Sequence, residues 1–363
     1  MKPAMVAIVT DAYGGRGGIA QYNRDLLGAL AEAGTVSSIT ILPRQAPDAP
    51  APPAPTEQLP PQPGRLSYSI AALRTAFFRP VGLVFCGHLF MAPLAALIAR
   101  LKRAKLIVQT HGIEAWPRPS RLQRAALERA DLVLCVSRYT RAMVLSWAAI
   151  APERVLVVPN TVREVFTPGD DSAQRAALAL QGRRVLLTVG RLDSRERYKG
   201  HDRVIAVMLG LVAKGHDVCY LIVGEGDDRG RLEALARDCG VSDRVRFLGA
   251  VGLQGLLEIY RAADLFVMPS TGEGFGVTFL EAMASGTPAL GLDVAGALDA
   301  LADGELGVVT SEAELVTTIS GLLNRPRPDS LKLHAAVCAR FGRQKFAAAA
   351  GMVLNRLMEV NRC

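Results

Sequence analysis

A chain of 363 residues, 50% hydrophobic and carrying a formal charge of +8, is long enough for two ordinary domains and too apolar to be disordered. Its 34 glycines and 21 prolines fit an α/β protein with many strand-to-helix turns better than a coiled coil. Six scattered cysteines with no CxxC pair give neither a disulfide framework nor a thiolate zinc site, and favour a reducing compartment.

The first element, MKPAMVAIVTDAYGG, reads as a buried strand; its apolar run is too short for a secretory signal, and a cytoplasmic location is expected. Gly14, Gly15, Gly17 and Gly18 then lead into a helix from about Ile19 to Ala33. Such a turn lets backbone N–H groups approach a phosphate or a sugar, although a bland loop would need no function. GGRGG does not match GxGxxG, and no acid ends the second strand, SSITILP, so a nicotinamide dehydrogenase is disfavoured. Nine prolines between Pro43 and Pro63 predict a long surface loop, because proline cannot donate to a strand ladder. An SH3-type ligand is the lesser alternative.

VGLVFCGHLFMAPLAALIA, residues 81–99, is nineteen residues without formal charge and therefore of membrane-spanning length. Gly87, His88 and Pro93 interrupt it, and a buried strand, a turn and a helix from about Met91 to Arg100 account for it better. Between Arg100 and Arg141 there are ten Lys or Arg against three acids, an excess of +7. That surplus suits phosphorylated substrates or an anionic membrane face, with a merely solvated helix surface as the plain alternative. Nucleic acid is not expected, since no aromatics interleave with the basic residues and no finger or helix-turn-helix pattern occurs.

His111 follows the strand of AKLIVQTHG, where a histidine is either a satisfied loop residue or a ligand contact. HGIE is not HExxH, and His111 with Glu114 offers at most two ligands, so no metal site is predicted. DLVLCVS and RVLVVPN complete a first set of strands. After about Pro168 the pattern restarts with RRVLLTVG, HDVCYLIVGEG, RVRFLG, DLFVMPS and TPALGLD. The chain therefore divides into two parallel-sheet α/β domains, 1–168 and 169–344, with a cleft expected between them. Ligands should bind beyond the carboxyl ends of the strands.

Two strand ends in the second half carry charge. In TVGRLDSRERYKGHDRVI, Arg191 closes a strand and Lys199 precedes a helix; a planar fork and a point charge together suit a diphosphate. The plain alternative has Arg195, Glu196 and Arg197 pairing among themselves on the surface. In GEGFGVTFLEAMASG, Glu273 lies in a glycine-rich loop and Glu281 early in a helix. A helix cap would explain Glu281 but not Glu273. Two contacts along an extended ligand fit their spacing better than a shared metal cage.

VGRLDSRERYKG, VGEGDDRGRLEALARDCG, RVRFLG and PSTGEGFGVTFLEAMASGTPAL resemble the C-terminal domain of the retaining GT-B glycosyltransferases, group 1 or family 4. Glu273 and Glu281 match that family's E-x7-E motif. The resemblance runs from Thr188 to Asp293, with weaker support from the glycine loop, His111 and VVPNTV. It implies a GT-B fold of two Rossmann-like domains facing across a cleft, the C-terminal helix 345–363 completing the first. It also implies a catalytic set of His111, Arg191, Lys199 and Glu273. Arg191 and Lys199 would clamp the donor diphosphate, Glu281 would take the ribose hydroxyls, and Glu273 and His111 would meet the donor sugar. Backbone groups of Phe275, Gly276 and Val277, the first loop at Gly15, Gly17 and Gly18, and a base-binding segment at Arg246, Phe247 and Leu248 would complete donor binding.

No metal or cofactor is implied beyond the nucleotide-sugar donor, with GDP-mannose the first choice and a UDP-hexose the second. Attack on the face from which the nucleotide leaves would make Glu273 something other than a nucleophile. The expected acceptor is a glycan or a polyprenyl-diphosphate-linked saccharide for cell-surface polysaccharide. The basic region would then approach an anionic membrane from the cytoplasmic side. Two departures stand out: the stretch around SRERY is lengthened, and the GG-x-x-E pattern appears as DVAGALDALADG, with Asp299 near the glutamate's place. A nucleotide-sugar epimerase or hydrolase, or a noncatalytic carbohydrate-binding protein, remain as alternatives.

Overall fold

The computed structural model describes residues 2–15, 17–45 and 51–359. Met1, Arg16 of the first glycine loop, residues 46–50 of the proline-rich segment and residues 360–363 of the expected C-terminal helix lie outside them. The chain forms two compact units, Met1–Thr161 with Gln344–Cys363, and Val162–Arg343.

In the first unit, strands β1 (Ala4–Val9), β2 (Ser38–Pro43), β3 (Thr56–Gln58), β4 (Leu83–Cys86), β5 (Lys105–Thr110), β6 (Leu132–Cys135) and β7 (Val155–Val157) form one sheet. Its order is β3-β2-β1-β4-β5-β6-β7, and every pairing is parallel. The runs LVFC and LVLC are buried at every residue, as strands covered on both faces must be. Helices Arg65–Phe78, Ala92–Lys102, Arg121–Glu128 and Arg138–Trp147 contribute to one apolar cluster with the sheet. The helix Arg343–Glu359 belongs to this unit, and Phe346 meets Tyr22 edge-on at 5.7 Å.

β3 corrects the expectation of an uninterrupted loop over 43–63. Thr56, Glu57 and Gln58 are a proline-free window, so their backbone can pair with Ile39, Thr40 and Ile41 of β2. Gln58 fixes that edge further, accepting from the Tyr13 N–H at 3.1 Å and donating to the Tyr13 carbonyl at 2.9 Å. The uncharged stretch 81–99 resolves into β4, a short turn at Leu89–Met91 and the helix Ala92–Lys102. Among the described residues no helix is long and apolar enough to cross a membrane.

In the second unit, β8 (Arg184–Val189), β9 (Val218–Val223), β10 (Val245–Gly249), β11 (Leu265–Met268), β12 (Ala289–Leu292) and β13 (Val308–Thr310) order as β10-β9-β8-β11-β12-β13, again all parallel. Residues 162–168 belong to this unit: the Val162 N–H donates to the Phe341 carbonyl at 3.0 Å, Phe166 stacks edge-on against Tyr260 at 5.7 Å, and Arg261 donates to the Thr167 carbonyl at 2.8 Å. Both sheets are α/β doubly wound, and strand order reverses between β1 and β4 in one and between β8 and β11 in the other. Crevices at such switch points, beyond the strand carboxyl ends, are where ligands bind in open parallel sheets.

Candidate functional site

The β8/β11 switch point is built from two loops that touch. Gly200 (φ 80) ends the loop after β8; a Cβ there would stand 2.4 Å from the Pro269 carbonyl oxygen after β11, so only glycine permits this approach. Gly200 leads into the helix His201–Ala213. Lys199, one residue earlier, is thereby held with its side chain mostly covered, its Nζ 3.6 Å from Glu273 Oε2 and 3.9 Å from Glu196 Oε2. Neither carboxylate oxygen has a hydrogen-bond partner in its buried position.

Glu196 changes the picture of the lengthened SRERY segment. Arg195 does not pair with it but with Asp193 at 2.7 Å, and Arg197 pairs with Asp228 at 2.9 Å. Glu196 instead contacts Arg191, whose guanidinium is otherwise exposed. The plain alternative, in which residues 195–197 pair among themselves, is thus not what forms, because acids outside the segment, Asp193 and Asp228, reach the two arginines first. Asp227 pins the loop by accepting from the Ser194 N–H at 2.8 Å and its hydroxyl at 2.7 Å. The result is a cluster of two cations and two acids, Arg191, Lys199, Glu196 and Glu273.

Gly276 (φ 96) ends the loop after β11 and precedes the helix Val277–Ala284. A side chain at Gly276 would adopt a strained backbone and meet the Phe279 ring at 2.5 Å. The turn aims the first N–H groups of the helix at the space beyond the strands, an arrangement that favours an anion. Phe275 is buried edge-on against Phe341 at 5.6 Å, which fixes the loop from behind.

Glu281 is not a cap. Only 7% exposed, it accepts from Arg163 Nη2 at 3.0 Å through Oε1 and from the Tyr260 hydroxyl at 3.0 Å through Oε2. Burial raises its pKa, with Arg163 and Tyr260 opposing the shift. Sequence reasoning misses both partners. Arg163 lies just beyond VVPNTV and Tyr260 within LQGLLEIYRAA, and no local spacing connects either to Glu281.

The expected base segment is less open. Arg246 gives its guanidinium to the Leu178 carbonyl, and Phe247 packs against the core while Arg229 stacks on its ring at 5.4 Å. Leu248 is partly exposed. In the segment with the altered GG-x-x-E pattern, Ala295 takes φ 53, a left-handed conformation that costs a non-glycine residue about 1 kcal/mol. The Gly296 N–H next to it donates to the Glu273 carbonyl at 2.9 Å, so this segment braces the Glu273 loop.

The β1/β4 switch point of the first unit has a different character. Gly17 (φ 89) stands at the start of the helix Gly18–Glu32, and Gly15 is held by the Arg24 guanidinium, which donates to its carbonyl at 2.9 Å. His111, at the end of β5, donates from Nε2 to the Gly87 carbonyl at 2.9 Å and meets Tyr22 edge-on at 5.4 Å. Burial pushes its pKa down to about 4, so the ring is neutral, with Nδ1 left as the acceptor nitrogen. His88, at the end of β4, lies 6.2 Å away ring to ring and is likewise held down to about 4 by burial. In the sequence His88 stands only as an interruption of an apolar run. Among the described residues no group of three His, Cys, Asp or Glu side chains could hold a metal ion.

Comparison with known proteins decides the family. The family "Glycosyl transferases group 1" matches residues 170–336 and "Glycosyltransferase Family 4" matches residues 16–166. The chain belongs to the group 1/family 4 glycosyltransferases of the GT-B fold. A GDP-mannose-dependent alpha-(1-6)-phosphatidylinositol monomannoside mannosyltransferase of Mycolicibacterium smegmatis is 33% identical over 257 residues, covering 65% of this chain and 66% of the relative. A D-inositol 3-phosphate glycosyltransferase of Mycobacterium sp. (strain JLS) is 34% identical over 213 residues, covering 56% of this chain and 47% of the relative, so the match spans about half that protein's length. Among solved structures, the sucrose-phosphate synthase of Thermosynechococcus elongatus superimposes with a TM-score of 0.79 at 24% identity, covering 98% of this chain and 99% of that one. HepE of Anabaena, in complex with UDP and glucose, gives 0.79 at 20% identity and covers 97% and 99%. These likenesses establish the shared fold.

Proposed function

We propose that this chain transfers a hexose from a nucleoside diphosphate sugar to a saccharide or lipid-linked saccharide, with retention of anomeric configuration. The observation that carries this reading is the Lys199 ammonium set beside Glu273 at the β8/β11 switch point, with Arg191 on the same loop. Arg191 and Lys199 offset the negative charge that grows on the departing nucleoside diphosphate as the sugar–phosphate bond breaks. The helix N-terminus at Val277 adds N–H donors to the same anion. The Oε2 of Glu273, which has no hydrogen-bond partner, accepts a sugar hydroxyl and so orients the sugar without a covalent bond to the protein. Glu281 takes the ribose: its oxygens retain a second lone pair each beyond the bonds from Arg163 and Tyr260. His111, neutral and with Nε2–H spent on Gly87, serves the sugar as an acceptor through Nδ1 rather than as a cation.

GDP-mannose is the first donor to test, supported by the mannosyltransferase relative, and UDP-glucose the second, in view of what HepE binds. The deciding experiment is a turnover screen with both donors against saccharide and lipid-extract acceptors, followed by NMR of the product's anomeric centre. Transfer with retention is expected. Free sugar formed without acceptor would make the chain a hydrolase, an altered nucleotide sugar an epimerase, and donor affinity without turnover a binding protein.

A further inference from the structure

We propose that the second unit binds a small single-chain aliphatic anion, a carboxylate or phosphate carried on a methylene tail, in a recess at the amino ends of β11, β12 and β13. The recess holds about 540 Å³, within the size range of small-molecule sites. Asp264, Pro288 and Gly307, which lead directly into the three strands, line it. In a parallel sheet this is the rim opposite the β8/β11 switch point, and the four residues of β11 alone set the two about 13 Å apart. The recess is therefore distinct from the donor site. Its walls come from two helices and their connection. Helix Leu315–Leu323 supplies Leu322 and Leu323, and helix Ser330–Phe341 supplies Leu333. Between them, Pro326 and Pro328 lack the N–H that would continue the first helix or extend the sheet beyond β13, so the connection passes beside the strand ends and leaves the space open. With Leu306 these walls are aliphatic, and among the described residues no aromatic side chain lines the recess. A flat ring finds no stacking partner there, whereas a flexible methylene chain meets branched aliphatic groups.

The charges around the recess select the head group. Three acids line it, and all are engaged. Asp264 accepts from the Val185 N–H at 2.8 Å and pairs with Arg175 at 3.2 Å. Glu305 pairs with Arg340 at 2.6 Å, and Asp329 caps the helix Ser330–Phe341 by accepting from the Leu331 and Lys332 N–H groups at 3.0 and 3.1 Å. Of the three lining cations, Arg327 is held by Asp171 at 3.4 Å. Arg325 and Lys332 are exposed, and their side chains make no hydrogen bond or ion pair among the described residues. Two unspent cations beside an aliphatic recess complement a molecule with one anionic end and one apolar end. A neutral amphiphile would leave both cations without a partner, and a cationic one would be repelled.

This inference is independent of the transferase reading and is tested without nucleotide or acceptor. Decanoate, decyl phosphate, decanol and decyltrimethylammonium, each below its micelle-forming concentration, are titrated calorimetrically into the full chain. Three variants are compared: Arg325→Ser/Lys332→Ser, which removes the free cations; Ala336→Trp, which adds bulk at an exposed lining position; and Lys199→Ala at the donor site. Thermal melts confirm that each is folded. The expected result is saturable one-to-one binding of at least one of the two anions, the tighter of them identifying the head group. Decanol should bind more weakly and decyltrimethylammonium not at all. Anion affinity should fall about fivefold per cation removed, be lost in Ala336→Trp and stay unchanged in Lys199→Ala. No saturable binding of either anion would overturn the proposal, as would equal affinity for the cationic amphiphile or wild-type affinity in Ala336→Trp. Loss of binding in Lys199→Ala would also overturn it, by placing the anion at the donor cluster instead.

Discussion

The two switch points share a strand order and differ in chemistry. At β8/β11 the sheet ends in an open cluster of Arg191, Lys199, Glu196 and Glu273. At the strand ends around β1/β4, neutral His111 lies beside Tyr22 and neutral His88, while the charged groups Arg24, Asp11 and Glu114 bond to the Ala12 and Gly15 carbonyls, the Thr10 hydroxyl and the His111 N–H. One doubly wound sheet can thus present either an open charged cluster or a rim whose charges are spent on its own loops, according to the residues placed after each strand. On the proposed reading, the Arg191 and Lys199 cluster of the second unit would meet the diphosphate leaving group, and neutral His111 of the first would meet a hydroxyl.

Substitutions can break this contrast in graded fashion. Lys199→Ala should have the largest effect, lowering kcat by ~10²–10³-fold as an electrostatic donor to the leaving group is lost; steady-state kinetics with the active donor would check it. Glu281→Ala leaves Arg163 and Tyr260 facing a buried gap, and should destabilise the second unit by about 3 kcal/mol in urea unfolding while weakening nucleotide binding. Acidification should instead act on the first unit. His88 and His111, depressed to about 4, bind fewer protons when folded than when unfolded. Their contribution is therefore complete above about pH 6.5 and is lost as the pH falls through 4. Urea titrations across that window should show stability falling as the pH is lowered, with a smaller slope in His111→Ala. Ala295→Gly should relieve the left-handed strain and stabilise the fold by ~1 kcal/mol, read as a raised Tm. The smallest change is expected of Glu196→Gln, which removes the carboxylate that engages Arg191 and should tighten nucleoside diphosphate binding by no more than about fivefold.

Much of the fold is legible because buried parallel strands announce themselves as short apolar runs, and VGLVFC, DLVLCVS and HDVCYLIVG each become one. β3 and β13 escape because TEQ and VVT are three-residue edge strands, TEQ polar and VVT too short to stand out as a run. At the site, Arg191, Lys199, Glu273 and Glu281 stand out because charge after a strand is locally unusual. Glu196 does not, since its pairing depends on Asp193 and Asp228 having claimed Arg195 and Arg197. Arg163 and Tyr260 are 118 and 21 residues from Glu281, and only tertiary packing brings them there.

The most direct measurement is calorimetric titration of GDP and UDP into the wild-type chain and into Lys199→Ala. If the β8/β11 cluster holds the donor diphosphate, one of the two nucleotides binds the wild type and binds the variant at least about tenfold more weakly. Equal affinity for both proteins, or no binding of either nucleotide to the wild type, would contradict that assignment.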